Sequence, residues 1–96
     1  MLYKFNWDVR KAATNLSKHK VDFIDATAIF NDLNALTLYD DEHSGDEDRW
    51  ATLGIGKNGK LLVVIHTFKE IDEENTEIRI ISARKATKKE IKYYNE

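Results

Sequence analysis

WATLGIGKNGKLLVVIHTF, residues 50–68, consists of two apolar runs joined through Asn58-Gly59. Both turn residues tolerate positive φ, so the stretch predicts an antiparallel hairpin with strands over residues 50–56 and 60–68. The second strand is largely apolar on both faces. Leu61, Val63, Ile65 and Thr67 share one face, and Leu62, Val64, His66 and Phe68 share the other. A third run, residues 76–84, follows the acidic turn EIDEEN and completes an antiparallel meander. Upstream, Leu36 and Leu38 alternate with Thr37 and Tyr39 as a strand does. The stretch DDEHSGDED between them and the hairpin holds six acids in nine residues, too charged to bury, and reads as a loop.

The flanks of this sheet read as helices. Residues 2–7 alternate Tyr3, Phe5 and Trp7 with Lys4 and Asn6, as a half-buried strand does. Asp8 then stands as N-cap to a helix with Ala12, Ala13 and Leu16 at helical spacing. Asp22 caps a second helix carrying Phe23, Ala26, Ile29 and Phe30, which stops near Asn31. Thr87-Lys-Lys-Glu90 is a capping box that opens a last helix through Ile91 and Tyr94. The expected fold is therefore α+β: one small domain over residues 1–96, with a mostly antiparallel sheet of four or five strands, two N-terminal helices and one C-terminal helix.

Composition narrows the rest. A chain of 96 residues, 42% hydrophobic and 33% charged, has room for one core. It contains no cysteine, so neither a disulfide nor a thiolate metal site holds it together. No window nears the roughly eighteen apolar residues of a membrane span, and the chain reads as cytosolic. The net charge of −2 conceals a partition: residues 1–20 carry +4, residues 21–78 carry −10 and residues 79–96 carry +4. If the fold brings the two ends together, they form one positive surface suited to a polyanion. Solvated helix faces at both ends would give the same composition.

Several side chains are candidates for chemistry. His66 ends an apolar strand and reads either as a hydrogen-bonded structural residue or, with Thr67 and Lys69 following, as a functional one. Arg79 and Arg84 alternate to opposite sides of their strand and cannot line one cleft unless a bulge intervenes. Arg79, flanked by isoleucines, needs an acid or a bound anion as partner. Arg84 and Lys85 stand beside the free amides of the capping box, where phosphate is favoured. His43, Glu47 and Arg49 supply an acid, a base and a cation, although a loop of six acids is usually only a solvated loop. No HxH, HExxH or EF-hand spacing is present to suggest a metal.

The stretches FNWDVRKAATNLSKHKVDF, AIFND, DDEHSGDEDRW, LLVVIHT and RIISARKATKKEIKYY, taken in order, resemble the BrnT family, the toxin half of BrnT/BrnA type II toxin-antitoxin systems. The resemblance runs from about Phe5 to Tyr94. It implies a RelE-like fold, a ribonuclease that blocks translation, and a BrnA-like antitoxin that covers the basic surface and carries the DNA contact, so that DNA is met only indirectly. Lys20 replaces a glycine common in the family, Leu33 a proline, and Lys69 an arginine; lysine is a point charge without the two-pronged grip of guanidinium.

Chemistry of this kind needs no cofactor, because the RNA 2′-hydroxyl is itself the nucleophile. Glu47 or His66 would be the base and His43 or His66 the acid, with Arg49, Lys69 and Arg79 around the phosphorus. Lys18, Arg84 and Lys85 would track flanking phosphates, and Trp50 would stack a base. Three rival expectations stand beside this one. The chain is a non-catalytic module that binds RNA or antitoxin and acts as co-repressor, a direct DNA-binding regulator, or a structural domain whose basic ends keep it soluble.

Overall fold

The structure is a computed structural model and describes residues 2–96. Along the chain run β1 (Leu2–Asn6), α1 (Val9–His19), α2 (Phe23–Ala26), β2 (Leu36–Tyr39), β3 (Trp50–Ile55), β4 (Leu61–Glu70), β5 (Asn75–Lys85) and α3 (Lys88–Tyr94). The strands form one sheet in the order β1-β5-β4-β3-β2. Strands β2 to β5 are the expected antiparallel meander. The sheet is nevertheless mixed, because β1 lies parallel to β5, with Phe5 opposite Ile78. Alternation reports which face a side chain takes but carries no information on strand direction. The helical segment between β1 and β2 carries the chain from one edge of the sheet to the other.

The hairpin forms with a different turn from the one Asn-Gly suggests. Of the two turn residues, Asn58 and Gly59, the glycine alone takes positive φ, at 76°. The Gly56 amide donates to the Lys60 carbonyl at 2.8 Å, and the Gly59 amide donates to the Gly56 carbonyl at 3.1 Å. This is a three-residue loop, a type I turn closed by a left-handed glycine.

Both first helices begin as their caps predict. Asp8 Oδ1 accepts from the amides of Arg10 and Lys11, and Asp22 Oδ1 accepts from that of Ile24. The second helix is shorter than its apolar spacing suggests: after one α-turn it tightens into a 3-10 segment, Thr27–Asn31. There the Thr27 hydroxyl donates back to the Ile24 carbonyl at 2.7 Å, a local bond that competes with regular helix. The core lies between this helical layer and one sheet face, formed by Val21, Phe23, Ala26, Ile29, Leu62, Val64, Ile78, Ile80 and Ala83. Gly54 permits the close approach, since a Cβ there would stand 3.1 Å from that of Ile29.

α1 is held to the sheet by hydrogen bonds more than by apolar burial. β1 covers the outer edge of β5 only as far as Arg79. Beyond it, the buried Asn15 side chain pairs with the backbone of Ala83, accepting from its amide at 3.0 Å and donating to its carbonyl at 2.9 Å. The same Nδ2 donates to the Val21 carbonyl at 3.0 Å. An amide side chain thus continues the ladder where β1 ends and satisfies a sheet edge that would otherwise be unpaired.

α3 folds back over the far end of the sheet. The capping box forms as expected, with Thr87 Oγ1 accepting from the Glu90 amide and Glu90 Oε1 accepting from the Thr87 amide. Tyr94 donates to Asp32 Oδ2 at 2.6 Å, and the same carboxylate accepts from the amides of Ile55 and Asn34. Desolvation acts to raise the Asp32 pKa, but these hydrogen bonds outweigh it and hold the carboxyl below its usual range.

Candidate active site

A β-bulge decides what the open face of the sheet presents. Ile65 pairs with Ser82, yet the next residue, His66, pairs with Ile80, so Ile81 is an extra residue in β5. Each such insertion reverses the alternation beyond it. Arg79 opposite Thr67, Ser82 opposite Ile65 and Arg84 opposite Val63 therefore share the face turned away from the core. The expectation that Arg79 and Arg84 point to opposite sides is overturned by this one residue. The burial pattern records the shift: buried positions run 76, 78, 80 and then 83.

The acidic loop is ordered by its own side chains. The Ser44 hydroxyl donates to the Asp40 carbonyl at 2.7 Å and accepts from the Arg49 amide at 3.0 Å, while the Asp40 amide donates to the Arg49 carbonyl at 2.9 Å. Tyr39 donates to Asp48 Oδ1 at 3.0 Å. These bonds tie the two ends of the loop together and bring Glu47 over the open face. Glu47 Oε1 there forms an ion pair with Arg79 and lies 3.6 Å from Arg49 Nη2. His43 Nδ1 lies 2.7 Å from Asp40 Oδ2 without hydrogen-bonding to it, and the His43 amide donates to Asp40 Oδ1 at 3.2 Å. His43, Gly45, Asp46, Glu47 and Arg49 line one cavity of about 490 Å³. Arg49 Nε is buried without a hydrogen-bond partner among the described residues.

Four of the six residues proposed for chemistry thus converge: Glu47, Arg49, Arg79 and His43. Lys69 stands on the same face, two residues beyond Thr67, directly across from Glu77.

His66 is elsewhere. It pairs with Trp50 and Ile80 on the core face, is fully buried, and lies edge-on against Phe30 and Phe68 at centroid distances of 4.9 and 4.7 Å. Burial pushes its imidazole down to about 4, against a weak opposing hydrogen bond to the Thr67 carbonyl. The neutral ring donates from Nδ1 to that carbonyl and accepts at Nε2 from Thr52, 2.7 Å away, itself bonded to Thr37. A ring enclosed on the far side of the sheet cannot reach a phosphate held by Arg79.

The residues expected to track RNA are also dispersed. Trp50 faces the core side, edge-on to Tyr39 at 5.2 Å. Arg84 is clasped by both oxygens of Glu90 at 2.8 and 2.9 Å, and this pairing first, with the capping amide, holds the Glu90 carboxyl down to about 2. Lys85 is the last residue of β5, six residues beyond Arg79, in a small cavity with Lys20, Lys57, Lys60, Asp22 and Asp25. Lys18 lines a separate groove along α1.

The organising residues Asp40, Ser44 and Asn15 escaped the sequence reading. For Asn15 a signal existed, since it stands three residues after Ala12 on the apolar side of the helix.

A family model described as the ribonuclease toxin, BrnT, of type II toxin-antitoxin systems matches residues 7–90, a span that contains every residue of the convergent cluster. The chain belongs to the BrnT ribonuclease toxin family. Among solved structures it is similar to the crystal structure of the Brucella abortus ribonuclease toxin, BrnT. The two share 28% identity and a TM-score of 0.62, over 92% of this chain and all of that one. A search of curated protein sequences found no match. Membership in a type II toxin-antitoxin family implies an antitoxin partner. No helix among the described residues is long and apolar enough to cross a membrane.

Proposed function

We propose that this BrnT family member is a cytoplasmic, metal-independent endoribonuclease that inhibits translation and is neutralised by a BrnA-like antitoxin. The observation that carries the reading is a carboxylate set between two guanidinium groups over the open sheet face, with an imidazole lining the same loop cavity as that carboxylate. Glu47 removes the proton from the 2′-hydroxyl as this oxygen attacks the adjacent phosphorus. His43, held beside Asp40, delivers a proton to the departing 5′-oxygen. Arg79 and Arg49 stabilise the charge that builds on the phosphorane. The Arg79 ion pair holds Glu47 in place and opens as the phosphate enters between them. Lys69, on the same face, adds positive charge without a bidentate grip.

Burial of His66 favours a second reading, since it removes one proposed acid-base residue from the site. In that reading the open face binds RNA or antitoxin without cutting, and the chain serves as co-repressor. The test is induced expression of the wild type and of Glu47→Ala, His43→Ala and Arg79→Ala, scored for growth arrest and for RNA cleavage in EDTA. Loss of both in each variant supports the nuclease. Variants that leave both readouts at the wild-type level would reject it.

A further inference from the structure

A second basic feature lies apart from the Glu47 cluster, in the angle between α1 and the β5 bulge. Arg10, Lys11, Lys18 and His19 line a groove of about 300 Å³, together with Thr14, Ser82 and Ile81. Among the described residues, no carboxylate lines it. Asp8 and Asp22, the nearest acids along the chain, are engaged in capping α1 and α2, and Arg10, Lys11 and Lys18 make no ion pair among the described residues.

The groove is a consequence of the two irregularities that shape this edge. Asn15 holds α1 beside β5 in place of a further strand, which leaves the helix's cationic side chains beside the sheet. The bulge turns Ser82 onto the same face as Arg79. Along β5 the two positions lie about 10 Å apart, at roughly 3.3 Å per residue. A strand gripped at Arg79 and running toward α1 would enter this groove directly. Its lining, cations around a hydroxyl pair with one apolar residue, suits a linear polyanion with exposed ribose.

We infer that the groove between α1 and the β5 bulge binds the phosphate backbone of single-stranded RNA flanking the scissile bond. The inference rests on the ribonuclease reading for the identity of its ligand, but not for the geometry of the groove. Arg10, Lys11 and Lys18 contact phosphates, and Thr14 and Ser82 hydrogen-bond to ribose hydroxyls.

The test is fluorescence anisotropy with a 5′-labelled twelve-residue oligouridylate and the full-length chain, titrated from low to moderate salt. The Lys11→Glu/Lys18→Glu double variant is compared with the wild type and with Lys89→Glu/Lys92→Glu, which changes net charge equally on α3. The groove variant is expected to bind about tenfold or more weakly, with a salt dependence flatter by roughly one to two units of log K per log salt. The α3 variant is expected to stay within about twofold of the wild type, the scale on which only the distant charge of the protein acts. Groove and wild-type proteins binding alike, or the α3 variant losing as much, would overturn the assignment. Binding needs no turnover, so failure here with intact cleavage removes the groove alone. A groove-dependent affinity without cleavage keeps the groove and removes the nuclease.

Discussion

Arg79, in the middle of β5, forms an ion pair with Glu47, thirty-two residues earlier in a loop whose ends are tied by Ser44. Both side chains are more than two-fifths exposed, and pairs of that kind contribute only about 0–1 kcal/mol to stability. The pair therefore does little for the fold. If Arg79 acts on phosphate, Arg79→Ala will leave the denaturation midpoint nearly unchanged while cleavage falls by about a hundredfold or more, the scale of losing one transition-state donor. Arg79→Lys will recover part of the rate. Unchanged cleavage in Arg79→Ala would reduce the pair to an ornament of the surface.

His66 makes the fold sensitive to acid. Its folded pKa, about 4, lies below the ordinary histidine value of 6.5, so the buried ring stays neutral in the native state. The stability it contributes is complete above about pH 6.5 and is lost as pH falls toward 4, on the order of 3 kcal/mol in all. Urea denaturation at pH 7, 5.5 and 4 will show the decline, and His66→Gln will flatten that part of the curve. An equally steep loss in His66→Gln would place the sensitivity in other groups.

Asn15 is a structural hinge pin for α1. In Asn15→Ala the Ala83 amide and carbonyl and the Val21 carbonyl lose their partners inside the protein, a cost of about 3 kcal/mol. Chemical denaturation measures it. A loss below about 0.5 kcal/mol, the range of ordinary surface changes, would show that water replaces the amide there.

Much of this was legible in the sequence, and the exceptions share a cause. The hairpin, the meander and all three helix starts follow from period-two alternation, Asn-Gly and capping residues, which act within a few residues of chain. The loop of six acids was legible as a loop, but its internal bonding through Asp40 and Ser44 was not. Strand β1 reads clearly as a strand, yet nothing local states that its partner is β5 or that the two run parallel. The bulge at Ile81 depends on pairing with β4 and leaves no mark in RIISAR itself, so the side on which Arg79 and Arg84 fall had to come from the fold. His66 was legible as either structural or functional. Only the aromatic rings of Phe30 and Phe68 closing over it separate the two.

Lys20 shows how a substitution can be read from backbone conformation. It ends α1 at φ 60°, in the left-handed region where glycine is at ease and a side chain is strained. Lys20→Gly sacrifices the bond from Nζ to the Ser17 carbonyl but removes that strain, for a net gain of about 0.5 kcal/mol. Thermal denaturation will show a small rise in midpoint; a fall would mean that the lysine bond outweighs the strain.

In this mechanism Glu47 abstracts the 2′-proton of a bound RNA. Single-turnover cleavage in EDTA by the wild type and Glu47→Gln, with the new 3′ ends identified by mass spectrometry, decides whether it does. The wild type is expected to leave 2′,3′-cyclic phosphate ends, and the isosteric variant to cut about a hundredfold or more slowly. Free 3′-hydroxyl ends, or a Glu47→Gln protein that cuts as fast as the wild type, would contradict it.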